Sequence, residues 1–302
     1  MYIDKKLGII NLLTYSWRTQ LIILLVVSLT SICYLGFLHE YVRLSGVLIT
    51  VLGTAISFFI GFINSQAYGR WWEARKIWGA IVNDSRSFCR MVMTFIDKKE
   101  DDVNIKLFKK LMIHRHLAFI ILLRDRLRDQ NTGEESKYLS SDDQSKLKGQ
   151  SHKSNAILTL HGKDLNNAEE IKYLDVFRMT QINQMLNRFS DSMGQSERIK
   201  LTIFPIYYST LIKVSIWIYM IIFSMQMSSV VGYWSILFSY LVGNVFILTY
   251  QAGQSLMNPF ELKPSGTPIA TITRAIEINL LEQIGEKNIP KPLQPVNNSY
   301  LI

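Results

Sequence analysis

The sequence is poor in the residues that build metal centres and disulfide frameworks. It contains two cysteines, Cys33 in an apolar run and Cys89 among charged residues, and five histidines. The close histidines His114 and His116 are two residues apart, whereas zinc ligands on one helix are usually about four apart. We therefore predict two free thiols, as expected for a reducing compartment, and neither a metal nor a cofactor.

The motifs of nucleotide-dependent and redox enzymes are also missing. The sequence has no P-loop, no G-x-G-x-x-G and no C-x-x-C. Its carboxylates, such as Glu73 and Asp84, lie among basic residues at helical spacing, a pattern typical of ion pairs on a helix surface. We predict that the protein is not an enzyme.

Charge is absent from three long stretches, residues 20–38, 44–69 and 214–260. A helix needs about 20 apolar residues to cross ~30 Å of hydrocarbon, so each stretch is about long enough to span a bilayer. The third is long enough for two helices and divides near residues 227–233, which contain serine and glycine. The sequence predicts an all-α membrane protein with four transmembrane helices.

The basic residues are concentrated in one region. Of the 33 lysines and arginines, 24 lie between Arg70 and Lys200, whereas the predicted loops 39–43 and 228–233 contain only Arg43. By the positive-inside rule, the region from Arg70 to Lys200 and both termini are predicted to be cytoplasmic. The formal charge of +9 raises nucleic acid as a partner, but the basic residues are interleaved on amphipathic helices without a binding motif, so none is predicted.

We divide the chain into four segments. Residues 1–69 form an interfacial segment and transmembrane helices 1 and 2, and 70–200 form a cytosolic helical region. Residues 201–256 form a pore-proximal segment and transmembrane helices 3 and 4, and 257–302 form a cytosolic helix and an extended tail. The length predicts one compact unit, and the polar, breaker-rich residues 130–155 predict a solvated, mobile insert.

Local patterns predict several helices outside the membrane. Residues 107–123 are apolar on nearly every side, which predicts a buried helix, and residues 175–193 have one apolar face. Residues 201–212 are predicted to lie in one helix that contains Pro205. Thr267 is the expected N-cap of a helix that ends at Gly285, and the proline-rich tail is expected to pack on its own or a neighbouring subunit.

Residues 57–90 pass from uncharged to densely charged without a turn signal. An aromatic boundary at Tyr68, Trp71 and Trp72 separates the two halves. Aromatic residues are enriched where helices leave a bilayer, so this pattern predicts one helix that continues from lipid into water.

Thr54, Phe58 and Phe62 are four residues apart and share one face of this helix, with Gln66 continuing the face and Asn64 near it. Spacing alone favours contact with lipid or a neighbouring helix. The polar residues favour protein or water instead, because hydrocarbon provides no hydrogen-bond partner.

Four motifs, in this order and spacing, carry a family resemblance. They are RWWEARKIWGAIVNDSRSF at 70–88, G-x-x-E-R-I at 194–199, FPIYYS at 204–209, and AIEINLLEQIGE at 275–286 with its proline-rich tail. Over nearly the whole chain except the polar insert, the sequence resembles the bacterial bestrophins.

The resemblance implies a homopentameric ion channel with four transmembrane helices per subunit, a cytosolic helical domain and one pore on the fivefold axis. It places a hydrophobic neck at Thr54, Phe58 and Phe62, which we call the neck row, and a cytosolic aperture at Phe204. The first neck position is usually aliphatic in this family, so Thr54 implies a wetter outer ring. Asn64 and Gln66 are candidate pore-facing polar residues.

The resemblance also guides the expected ion and regulation. Animal members carry a cluster of acidic residues after the fourth span, and this cluster binds calcium. Here residues 257–268 contain a single acidic residue, Glu261, so calcium activation is not expected. Phenylalanine ring edges and the regional basic excess favour chloride or other small monovalent anions. Because bacterial relatives with a similar neck include cation channels, a sodium- or potassium-selective channel is the alternative.

A different class of protein also fits the composition. A non-conducting membrane scaffold could use the basic region to dock a partner or anionic lipid. For the channel, the expected partners are identical subunits, membrane lipid and the permeant ions. Its expected location is the bacterial inner membrane.

Overall fold

The computed structural model describes residues 16–96, 103–202, 205–296 and 300–302. The α-helices in these ranges are α1 (Trp17–Cys33), α2 (Gly46–Phe95), α3 (Val103–Leu127), α4 (Ser141–Leu147), α5 (Lys153–Glu170), α6 (Val176–Leu201), α7 (Ile206–Val231), α8 (Ser235–Leu256) and α9 (Ile269–Gln283). The described residues contain no β-strand, and their single bridge joins Val296 to Tyr300. The predicted all-α class is confirmed.

The chain divides into two compact units. One, the polar unit, contains the described parts of Trp72–Thr202 and Asn258–Ile302. The other, the apolar unit, contains the described parts of Asp4–Trp71 and Ile203–Met257. The expectation of one compact unit is wrong, because segments of like polarity pack together across long sequence separations. The four-segment division stays a prediction.

The apolar unit packs α1, α7 and α8 with the part of α2 up to Trp71. Its core is formed by Ile23, Val27, Ile49, Ile56, Ile60, Ile63, Ile212, Ile216, Tyr219, Met220, Ile247 and Tyr250. Buried hydroxyls also join its helices: the Oγ atoms of Ser31 and Ser224 are 2.9 Å apart, and Ser235 donates to Ser31 over 3.0 Å. Such hydrogen bonds satisfy polar groups that hydrocarbon could not.

Three helical stretches of the described chain are long and apolar enough to cross a membrane: Trp17–Leu38, Gly46–Phe95 and Tyr207–Leu256. The third contains α7 and α8, which a short turn at Gly232–Trp234 separates. Gly232 has a φ of 58°, in the left-handed region that ends a helix and that glycine adopts without strain. Length and composition thus support membrane spans, and their number stays a prediction.

The structure corrects the prediction of one helix through residues 201–212. Helix α6 ends at Leu201, and α7 begins at Ile206 with Pro205 as its N-cap. Proline lacks the amide proton that a helix interior requires and its ring clashes with the preceding turn, so it marks the helix start.

The polar unit is built around α3. Most side chains on the C-terminal half of α3 are buried, which confirms the prediction of a buried helix. Helix α6 begins after Asp175, whose carboxylate accepts a hydrogen bond of 3.0 Å from the Arg178 amide. Cys89 is buried here and Cys33 is half-buried in the apolar unit; both are free thiols, as predicted.

The prediction that residues 130–155 form a solvated insert is confirmed, since most of them are exposed, and the predicted mobility stays a prediction. These residues form a 3₁₀ turn at Glu134–Tyr138, helix α4 and the first turn of α5. Buried Arg115 pairs with Asp143, buried Arg124 pairs with Glu134 over 3.0 Å, and Leu147 is only 3% exposed. Two of its carboxylates, Asp143 and Glu134, thus anchor the segment to arginines of α3, although most of its residues are exposed.

The C-terminal segment also differs in detail. Helix α9 is capped by Pro268, one residue later than the predicted Thr267, and Gly285 follows its end with a φ of 72°. The Thr271 amide and hydroxyl each donate to the Ile302 carbonyl over 2.7 Å. The tail therefore contacts α9 of its own chain.

Candidate functional site

Helix α2 has one face that the described residues of the apolar unit leave largely exposed. Thr54, Phe58 and Phe62 are exposed, Phe58 by 70% and Phe62 by 47%. Isoleucines on the opposite face, at positions 56, 60 and 63, are buried in the core. Helical periodicity thus divides α2 into a packed face and an exposed face, and the neck row lies on the exposed one.

The hydroxyl of Thr54 is satisfied within α2. Its Oγ1 donates to the Thr50 carbonyl over 2.8 Å. Threonine often bonds back to the preceding turn in this way, which lets a helix carry a hydroxyl in an apolar setting. The Thr54 hydroxyl oxygen can still accept a hydrogen bond.

Aromatic contacts hold the phenylalanines of α2. The Tyr208 ring of α7 lies edge-to-face against Phe62, with centroids 6.3 Å apart, and against Phe59, with centroids 6.4 Å apart. Phe58 and Phe59 form a third such pair at 6.0 Å. Sequence reasoning missed Tyr208, because helical spacing reports only neighbours along one helix. Its one signal was its place in the motif after Pro205.

The two candidate polar residues have different surroundings. Gln66 is exposed, whereas Asn64 donates from Nδ2 to the Thr249 carbonyl of α8 over 3.1 Å. Gly253 lets α8 approach this closely, because a Cβ there would lie 1.8 Å from the Asn64 Oδ1 atom. Asn64 therefore joins two helices of its own chain, which differs from its expected pore-facing role.

Other predicted groups lie elsewhere or outside the described ranges. Phe204, the predicted aperture, is not among the described residues. Glu261 is the acidic residue found where animal members bind calcium, and it pairs with Lys263 over 2.5 Å. The described residues hold no cluster of three or more histidine, cysteine, aspartate or glutamate side chains suited to a metal ion.

Many basic residues of the polar unit form ion pairs. Arg188 pairs with buried Asp84 over 3.0 Å, and burial raises the pKa of that carboxyl while Arg188 lowers it, with a net rise. Further pairs involve Lys110, Arg115, Arg124, Arg126, Arg178, Arg198, Lys200 and Arg274. Part of the regional positive charge is therefore balanced locally.

Comparison with known sequences points to one family. The sequence model of the family of bacterial and fungal bestrophin proteins matches residues 14–282 of this chain. The voltage-dependent anion channel-forming protein YneE of Escherichia coli strain K12 is 30% identical over 247 residues, covering 82% of this chain and 79% of that protein. The corresponding protein alr2987 of Nostoc is 28% identical over 239 residues, covering 76% of each chain.

Comparison with solved structures gives the same fold. The chain is similar to a bacterial bestrophin homolog from Klebsiella pneumoniae, with a TM-score of 0.83 and 21% sequence identity. The match covers 89% of this chain and 98% of that one. At this identity, the likeness concerns the fold alone.

Proposed function

Because the chain belongs to the bacterial and fungal bestrophin family, we propose that it forms a membrane channel for chloride and similar small anions. Its relatives from Escherichia coli and Nostoc are named as anion channel-forming proteins, not as enzymes. The conducting unit is a homopentamer with one axial pore, and it works without calcium.

The exposed neck row carries this proposal. Five copies of α2 around an axis bring five sets of Thr54, Phe58 and Phe62 together as stacked rings. Apolar rings of this kind can exclude water without any charge, and the positive edges of phenylalanine rings favour anions. Aromatic contacts with Phe59 and Tyr208 support this role, because they limit the orientations that the two rings can take.

The polar residues after the neck support a water-filled pathway. Ser65 and Gln66 are exposed within the uncharged part of α2. Lipid-facing positions rarely carry such groups, since hydrocarbon leaves their donors and acceptors unpaired. Gln66 is the polar residue that we assign to the pore, and Phe204 stays the proposed aperture.

We propose that the protein lies in the bacterial inner membrane, with both termini and residues 70–200 on the cytoplasmic side. An exposed apolar face of α7 is available for lipid or a neighbouring copy. It includes Tyr207, Leu211, Val214 and Ile218, which are between 48% and 92% exposed.

Planar-bilayer recording under a KCl gradient tests the proposal. We expect the purified protein to give single-channel currents that reverse near the chloride equilibrium potential. In the same recordings, the double variant Phe58→Ala/Phe62→Ala should raise the conductance, because it removes both aromatic rings. Phe238→Ala is the matched control, since Phe238 is a similarly exposed phenylalanine on α8.

Three outcomes would contradict the proposal. Reversal near the potassium potential would indicate the cation-selective alternative. An unchanged conductance in the double variant would remove Phe58 and Phe62 from the constriction. A monomeric or dimeric mass in detergent, without conductance, would favour the scaffold, which the extensive local pairing of basic side chains makes the weaker candidate.

A further inference from the structure

Two helices of the apolar unit meet at one point just past the neck row. The Asn64 side chain of α2 donates from Nδ2 to the Thr249 carbonyl of α8 over 3.1 Å. Gly253, one turn further along α8, is buried beside the same side chain. We propose that this contact of Asn64 with Thr249 and Gly253, which we call the α8 clamp, positions the neck row and sets the width of the neck. This proposal rests on the proposed channel function.

The α8 clamp is a close steric fit as well as a hydrogen bond. A Cβ atom on Gly253 would lie 1.8 Å from the Asn64 Oδ1 atom and 2.8 Å from its Cγ. The Cα–H of glycine points at that oxygen instead, and weak contacts of this kind recur where helices approach closely. The Asn64 Oδ1 atom is buried and accepts no conventional hydrogen bond from the described residues. Helix α8 therefore holds Asn64 through a carbonyl and through a glycine.

Helical geometry places the α8 clamp away from the neck row. Asn64 follows Phe62 by two residues, which is a rotation of roughly 200° around α2. Phe62 is 47% exposed, whereas Ile60 and Ala67, one turn before and one turn after Asn64, are buried. A push on Asn64 from α8 therefore moves α2 in the direction in which Phe62 points. In the proposed pentamer, that direction is towards the pore axis.

The same stretch of α8 also holds the ring that packs on Phe62. The Tyr250 hydroxyl donates to the Ser209 carbonyl of α7 over 2.9 Å. Ser209 follows Tyr208, whose ring lies edge-to-face against Phe62. Residues 249–253 of α8 therefore fix Phe62 in two ways, through its own helix and through the neighbouring ring.

The variant Gly253→Ala tests the α8 clamp in planar-bilayer recordings. Its added Cβ cannot share the space of the Asn64 Oδ1 atom, so it should push α2 towards the axis and narrow the neck. We expect the single-channel conductance to fall at least about threefold. The reversal potential should not move, because the side chains of the neck row are unchanged.

A second substitution distinguishes a push on α2 from general damage. Asn64→Ala removes the oxygen and the Cγ, and the next nearest atom to a Cβ on Gly253 is the Asn64 Cα at 3.4 Å, an ordinary contact. The double variant Asn64→Ala/Gly253→Ala should therefore conduct within about twofold of Asn64→Ala alone.

Gly243→Ala, on the same helix, is the matched control for crowding. A Cβ on Gly243 would lie 2.6 Å from the Met220 Cε atom and 3.3 Å from the Ile23 Cγ2 atom, so it would crowd α7 and α1 rather than α2. Adding Asn64→Ala to Gly243→Ala should give no recovery of conductance or stability, because the two positions share no contact.

Tyr250→Phe tests the second contact. Removing the hydroxyl releases the first turn of α7, so the Phe62 ring is held less firmly, and we expect the conductance to rise about twofold. Tyr240→Phe is the control, because the Tyr240 hydroxyl of α8 donates to Gln20 of α1 over 2.9 Å and not to α7. Equal effects of the two substitutions would contradict the role of Tyr250.

Thermal unfolding of the same variants in detergent requires no conduction. Asn64→Ala should recover at least about half of the melting temperature that Gly253→Ala loses, since the two changes meet at one contact. An unchanged conductance in Gly253→Ala, no recovery in the double variant, or additive losses of melting temperature would each overturn the α8 clamp. If the parent protein passes no current, the channel proposal fails, and recovery or additivity of the melting temperature still decides whether α8 clamps α2.

Discussion

Bestrophins usually have an aliphatic residue at the position of Thr54, and Thr54 differs from it by its hydroxyl group. Its hydroxyl proton is used in the bond to the Thr50 carbonyl, so the side chain offers only an acceptor oxygen to its surroundings. In a ring around a pore, such oxygens attract water but offer no donor to an anion. Thr54 should therefore govern hydration of the outer neck more than ion selectivity.

The variant Thr54→Val tests this separation. Valine keeps the shape but removes the acceptor, so the outer ring should dewet more readily and the single-channel conductance should fall roughly two- to tenfold, a barrier increase of up to ~1.4 kcal/mol. The reversal potential should not move. Thr249→Val on α8 is the control, because the Thr249 hydroxyl is also exposed and bonded to its own helix. Equal conductance of Thr54→Val and the parent protein would contradict this role.

At the scale of elements, the strongest sequence patterns predicted the structure well. The continuous helix α2 and the buried α3 follow from uninterrupted apolar spacing, which is a local property. The folded insert could not be predicted, because its stability depends on Arg115, a residue 28 positions from its partner Asp143. The Asn64 contact with α8 was missed for the same reason, since Gly253 is distant in sequence.

The paired aspartates of α4 provide a matched test of this non-local stabilisation. Burial would raise the pKa of Asp143, but the hydrogen bonds and charge of Arg115 outweigh it and hold the pKa below its usual value. Arg115 donates two hydrogen bonds of 2.9 and 2.7 Å to Asp143, whereas neighbouring Asp142 is exposed and pairs with Lys146.

Asp143→Ala should therefore destabilise the protein by about 1–3 kcal/mol, because buried Arg115 loses two charge-assisted hydrogen bonds but keeps its pairing with Asp164. Asp142→Ala should change stability by less than ~0.5 kcal/mol. Chemical unfolding followed by circular dichroism gives both values. Similar effects of the two substitutions would mean that the buried pair does not hold the insert.

At the scale of the whole molecule, the two units stabilise their buried polar groups differently. The apolar unit uses neutral hydroxyls such as those of Ser31, Ser224 and Ser235. The polar unit buries ion pairs such as Arg115 with Asp143, and it also buries two histidines. His116 lies 2.9 Å from the Ser85 hydroxyl, and His161 lies 3.4 Å from the Met112 sulfur. The response of the molecule to acid should therefore originate in the polar unit.

The sign of that response follows from burial. Burial lowers the pKa of His116 well below its usual value, with a smaller effect from His161, and it lowers the pKa of His161 to about 3, with a smaller effect from Arg115. An unfolded histidine has a pKa of about 6.5, so below that pH the unfolded chain binds more protons than the folded one. Stability should be full above pH ~6.5 and fall as the pH drops towards the folded pKa values.

We expect a loss that approaches roughly 1.4 kcal/mol per pH unit for each buried histidine, or about 1.6 kcal/mol each between pH 6.5 and 5.0. Unfolding free energies measured from pH 7.5 to 5.0 check this, a range that stays above the titration of most carboxylates. His161→Leu should reduce the slope by about a third to a half, whatever its effect on stability at pH 7.5, because His116 and His114, whose pKa values burial also lowers, continue to titrate. If His161→Leu keeps the full slope, the acid response arises from groups other than the buried histidines.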